Sequence, residues 1–128
     1  METFTDQINE AHTLYAIEMR MTRDEEITIG KLGSFSFHQG TYVYVGSAKR
    51  NIRSRISRHV TREKKHRWHL DYLRPYVDIV GIQTYPGKEG ECQLFQRLMK
   101  DNQASVPVKG FGSSDCKCVS HLFYYSFE

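Results

Sequence analysis

The segment between Thr41 and residue 62 constrains this chain more than any other. Thr41-Tyr42-Val43-Tyr44-Val45 is β-branched or aromatic at every position, which favours a pleated strand over a helix. Strand alternation puts Tyr42 and Tyr44 on one face and Val43 and Val45 on the other. Gly46-Ser47-Ala48 then releases the chain into a helix predicted over 51–62. There Ile52, Ile56 and Val60 recur every four residues as an apolar stripe, while Arg55, His59 and Arg62 form a separate basic stripe with Arg58 beside them. Small residues at the junction let a polyanion approach the backbone closely.

The remaining pattern fills in around this junction. Strands are expected over 13–20, 27–31, 34–38, 78–85 and 121–127, separated by the charged turn 22–26 and by Gly- or Pro-containing breaks. Residues 68–76 begin as a helix and break near Pro75. Residues 89–101 read as a second amphipathic helix, and 105–117 as a Gly- and Ser-rich loop. Strands interleaved with helices in this order predict an α+β fold: a small central mixed or antiparallel sheet flanked by helices. The 128 residues suit a single domain over 1–128, with 1–12 as an N-terminal extension. No apolar run approaches membrane-spanning length, and the N-terminus lacks a secretion signal. Three cysteines, with Cys116 and Cys118 two apart, make a poor disulfide framework, so a reducing, cytoplasmic setting is expected.

Charge is unevenly placed. From Lys49 to Arg74 there are ten Lys and Arg against Glu63 and Asp71, a local +8 in a chain whose total is +3. Seven of the ten are arginines, the side chain suited to two-pronged phosphate contacts. A concentrated basic segment on a mildly acidic body points to a nucleic-acid partner. Lys49, Arg58, Arg62, Lys64 and Lys65 are its expected phosphate contacts.

Several residues have both a structural and a chemical reading. Glu91 lies three and seven positions before Leu94 and Leu98, on the core-facing side of its helix. A carboxylate there is costly unless paired or metal-bound, whereas a first-turn Glu can also sit in solvent near the helix dipole. Tyr15, Tyr42 and Tyr44 are by default core residues. Trp68 and Tyr72 either stack an unpaired base or pack a helix on the sheet. His69 and Asp71 are polar within the same segment. Cys116, Cys118 and His121 resemble part of a zinc set that would need Cys92, Asp115 or a distant His to complete it.

Taken together, these residues resemble the GIY-YIG endonuclease superfamily. Tyr44-Val45-Gly46 with Arg55 and His59 on the next helix looks like its second signature, Leu14-Tyr15 occupies the place of the first, and Glu91 matches its metal-binding glutamate. The wording Gly40 to Ala48, Trp68-His69-Leu70-Asp71-Tyr72-Leu73, Glu91-Cys92 and Phe111-Gly112-Ser113-Ser114-Asp115-Cys116 is similar to an uncharacterised prokaryotic branch of that superfamily. Three departures stand out. Thr13-Leu14 replaces the first signature's Gly-Ile, and Tyr15 and Tyr44 lie 29 positions apart where most relatives have a short hairpin. The asparagine that many members carry after the glutamate helix has no clear counterpart.

The resemblance implies a metal-dependent endonuclease that hydrolyses nucleic-acid phosphodiester bonds, DNA being favoured. Its catalytic residues would be Tyr15, Tyr44, Arg55, His59 and Glu91, with Mg²⁺ or Mn²⁺ on Glu91. Substrate would be held by the basic residues named above with His69, Asp71 and Tyr72. Two other classes compete: a nucleic-acid-binding module that no longer cleaves, and a zinc-stabilised interaction domain.

Overall fold

A computed structural model of the chain describes residues 8–61, 69–88, 90–112 and 120–126. The element order is β1 (Leu14–Met21), β2 (Glu25–Ile29), β3 (Gly33–Phe37), β4 (Gly40–Ser47), α1 (Ile52–Val60), α2 (His69–Leu73), β5 (Asp78–Tyr85), α3 (Glu91–Asp101) and β6 (Leu122–Tyr125), with short 3-10 turns at Gly30–Leu32 and Arg74–Tyr76. This is the expected α+β architecture. The main sheet has the order β5-β1-β4-β6, and every neighbouring pair in it is antiparallel.

The separation between Tyr15 and Tyr44 is filled by a second sheet, the β2–β3 hairpin. Glu25 and Glu26, expected in a charged turn, are its first paired residues, opposite Phe37 and Ser36. The hairpin forms because its inward positions Ile27, Ile29 and Phe37 are buried in the core cluster that also contains Leu70 and Leu73, and that burial outweighs the low strand preference of two glutamates.

Period-two alternation splits the interior into two layers. Tyr15, Ile17, Met19 and Met21 of β1 join Tyr42 and Tyr44 of β4 on one face, under α1, α2 and the hairpin. Leu14, Ala16, Val43 and Val45 face the other way, against Leu94 and Phe95 of α3 and Phe123 of β6. Leu94 and Phe95 are fully buried, and each contributes about 2 kcal/mol in apolar transfer. Among the described residues, no helix is long and apolar enough to cross a membrane. The end of the expected N-terminal extension is docked: Ile8 is in the core, His12 Nδ1 lies 2.8 Å from Thr84 Oγ1, and Arg53 Nε donates to Glu10 at 2.6 Å.

Two arginines of the basic segment are structural. Arg74 is buried and donates to the carbonyls of Val60 and Val77, each at 2.9 Å, tying the end of α1 to the entry of β5. Arg58 Nη2 donates to Asp71 Oδ2 at 3.1 Å, with the Asp71 side chain fully buried, which fastens α2 to α1. Removing one member of such a pair leaves a desolvated charge behind. Asp71→Ala is therefore expected to destabilise the fold by about 3 kcal/mol in urea denaturation, with Arg58→Met/Asp71→Leu recovering most of that loss.

Candidate active site

The site forms where β1 and β4 end and α1 begins. Antiparallel pairing sets Tyr15 opposite Gly46, and the phenol crosses β4 at this position without a side chain. A Cβ built on Gly46 would lie 2.6 Å from Tyr15 Oη, closer than any ordinary contact. Through this gap Tyr15 Oη reaches His59 Nε2 at 2.9 Å, although both residues are 1% exposed. Tyr44, two residues before Gly46 on the same face, meets His59 edge-on with ring centroids 5.5 Å apart. The four-residue step from Arg55 to His59 puts both on one side of α1. Arg55 Nη1 donates to the Ser47 carbonyl at 3.1 Å, which anchors the guanidinium at the strand end.

Glu91 enters from the other side of the sheet, as the first residue of α3. Its Oε2 lies 3.8 Å from His121 Nε2, with its side chain 27% exposed. His121 is itself buried and immobilised from three directions. Its N–H donates to the Phe111 carbonyl at 2.8 Å, its carbonyl accepts from Val45 N–H at 2.9 Å, and its ring stands edge-on to Tyr44. Gly112, at φ 73°, closes the wall: a Cβ there would approach Tyr44 to 2.9 Å and His121 Cβ to 3.2 Å.

The electrostatics tie these side chains together. Burial drives the Tyr15 phenol well above its usual range, the Arg55 charge and hydrogen bond pull it back down, and the Glu91 carboxylate raises it further. Tyr44 is raised mainly by burial, then by Tyr15 and Glu91, against the opposing pull of Arg55. Both phenols are thus protonated at neutral pH. Burial lowers His121, with Glu91 working in the opposite sense, so its imidazole is neutral.

Tyr15, Tyr44, Arg55, His59 and Glu91 are therefore brought into one electrostatic neighbourhood. The expected substrate-binding residues fare differently. Lys49 is exposed beside the site. Arg58 and Asp71 bind each other. His69 Nδ1 accepts from Gly112 N–H at 2.7 Å, holding the wall, and Tyr72 packs on the hairpin, its hydroxyl 3.1 Å from where a Gly30 Cβ would be. Arg62, Lys64, Lys65 and Trp68 lie outside the described residues, as do Asp115, Cys116 and Cys118. Cys92 is disulfide-bonded, which corrects the expectation drawn from the odd cysteine count and removes Cys92 as a thiolate for zinc. Among the described residues, no three of His, Cys, Asp and Glu gather into a ligand set. The donors at hand are one accessible carboxylate and one imidazole, which fit an open divalent-cation site completed by water.

Sequence reading missed the two supports that shape the site. Gly46 was seen as a permissive junction residue, not as the gap for Tyr15. His121 was seen only beside the cysteines; its position follows from the β4–β6 register, with Leu122 opposite Tyr44, which no local pattern discloses. Gly46→Ala is expected to lower stability by about 2 kcal/mol through overpacking and to push the Tyr15 phenol off His59. NMR should show the His59 imidazole resonances shifted while those of exposed His38 stay in place; unchanged His59 resonances would contradict this account.

No curated protein and no solved structure matches the chain. The chain belongs to the family described as Domain of unknown function DUF123, whose model matches residues 14–128.

Proposed function

We propose that this chain is a metal-dependent endonuclease that hydrolyses nucleic-acid phosphodiester bonds, with DNA the favoured substrate. The observation that carries the reading is the convergence of two phenols, a guanidinium, an imidazole and a carboxylate from β1, β4, α1 and α3 at one end of the sheet. The contact at its centre is Tyr15 Oη to His59 Nε2 at 2.9 Å. The resemblance to the GIY-YIG superfamily supports the same conclusion from sequence.

The chemistry follows from the arrangement. A phenol held protonated by burial is a poor base on its own. Hydrogen-bonded to the His59 imidazole, it becomes one link of a relay: as Tyr15 Oη takes a proton from the attacking water, it gives its own proton to His59 Nε2. No bare phenolate has to form. Tyr44 orients this pair, its ring edge-on to His59 and His121 and packed close to Gly112. Arg55, fixed at its strand-end carbonyl, offsets the charge that builds on the phosphoryl oxygens, an interaction that strengthens in the transition state. A divalent cation, Mg²⁺ or Mn²⁺, when bound at Glu91 would supply electrophilic polarisation of the phosphate and stabilise the departing oxygen. Water attacks directly, with no covalent enzyme intermediate.

Glu91→Ala is expected to abolish Mg²⁺-dependent nicking while leaving nucleic-acid affinity nearly intact, and Arg55→Ala to slow nicking by about a hundredfold. A panel of duplex, branched and single-stranded substrates with Mg²⁺ or Mn²⁺ checks both; wild-type protein that binds but cuts none of them would instead establish a binding module. Lys49, Arg62, Lys64 and Lys65 are the cations proposed to meet phosphates. Four such contacts imply roughly a hundredfold loss of affinity between about 50 and 200 mM salt, and a flat response would refute that assignment.

A further inference from the structure

Glu91 and His121 face each other at a separation longer than a hydrogen bond. At 3.8 Å the Oε2 and Nε2 atoms are too far apart to share a proton. Two donors at roughly 2.1 Å from a common divalent ion are roughly 3.0 Å apart at a right angle and roughly 4.2 Å apart when opposed. The observed spacing falls inside that interval. His121 is also presented as ligands usually are: 3% exposed, its backbone pinned at N–H and carbonyl to Phe111 and Val45, its ring braced by Tyr44. The imidazole thus has little freedom to lose on coordination, while the 27% exposure of Glu91 leaves a route for the ion and its waters.

We propose that His121 is the second protein ligand of the cation held by Glu91, and that it biases the site toward an imidazole-accepting ion, Mn²⁺ or a later first-row divalent metal, over Mg²⁺. This rests on the reading of Glu91 as the metal ligand. The chemical basis is donor hardness. Mg²⁺ favours oxygen donors and keeps its waters, so an imidazole adds little to its binding. Affinity for nitrogen-containing sites rises along the first-row series from Mn²⁺ onward. A carboxylate alone would take either ion; a carboxylate and a rigid imidazole select.

The test uses the full-length chain without nucleic acid. Mn²⁺ and Mg²⁺ affinities are measured by calorimetry for wild type, His121→Ala and His121→Asn, with circular dichroism and thermal melting to certify the fold. Mn²⁺ affinity should fall tenfold or more in both variants while Mg²⁺ affinity changes less than twofold. Because a substitution at a buried position can disturb folding, pulsed electron paramagnetic resonance of the wild-type Mn²⁺ complex provides an independent reading: a directly coordinated ¹⁴N is expected. An oxygen-only Mn²⁺ shell, equal losses for the two ions, or no loss for either would overturn the proposal. Nicking assays run in parallel separate the outcomes. Glu91-dependent nicking without His121-dependent Mn²⁺ binding defeats this inference alone, whereas His121-dependent Mn²⁺ binding without nicking defeats the nuclease reading alone.

Discussion

The hydrogen bond between Tyr15 Oη and His59 Nε2 is the contact on which the rest of the site depends. It joins the second residue of β1 to the penultimate residue of the 52–60 helix, and it passes over β4 to do so. Leaving either polar atom buried without the other would cost on the order of 1–3 kcal/mol, so the strand-to-helix junction is held at the angle that keeps them together. That angle in turn carries Arg55, one turn before His59, to the Ser47 carbonyl. A single missing side chain, at Gly46, makes the crossing possible.

Around this contact several polar side chains are paired within the protein. Arg58 is matched by buried Asp71, Arg74 by two carbonyls, and His69 by the Gly112 amide. These contacts fasten α1, α2 and the segment before β6 into a wall beside the phenols. They also change the meaning of the basic segment. Part of its positive charge holds the fold together, through Arg58 and Arg74.

The features legible in the sequence were those with a local cause. The alternation of Tyr42, Tyr44, Val43 and Val45 disclosed which residues face which layer, and the four-residue spacing of Ile52, Ile56 and Val60 disclosed α1. Tyr15, Tyr44, Arg55, His59 and Glu91 stand out in the sequence where spacing and resemblance agree. What was hidden depends on long-range pairing. The pairing of Glu25 and Glu26 with Phe37 and Ser36 runs against propensity and is decided by the burial of Ile27, Ile29 and Phe37. Asp71 looked available to a substrate because nothing in its neighbourhood shows that Arg58, on another helix, meets it. His121 is set by register between strands 75 or more residues apart, and nothing in the local pattern around Cys92 discloses its cross-link.

The two-layer interior has a consequence for how the site assembles. Tyr15, Tyr44, Arg55 and His59 are carried by the layer under α1, whereas Glu91 is carried by α3, which packs through Leu94 and Phe95 into the opposite layer. The carboxylate reaches the others only around the end of the sheet. Local opening of α3, an event distinct from global unfolding, would therefore withdraw the carboxylate and leave the phenol–imidazole pair intact. A cation bridging Glu91 to His121, which belongs to the β6 side of the sheet, would act as a clasp between the layers, so that loading the site and docking the last helix become one thermodynamic event.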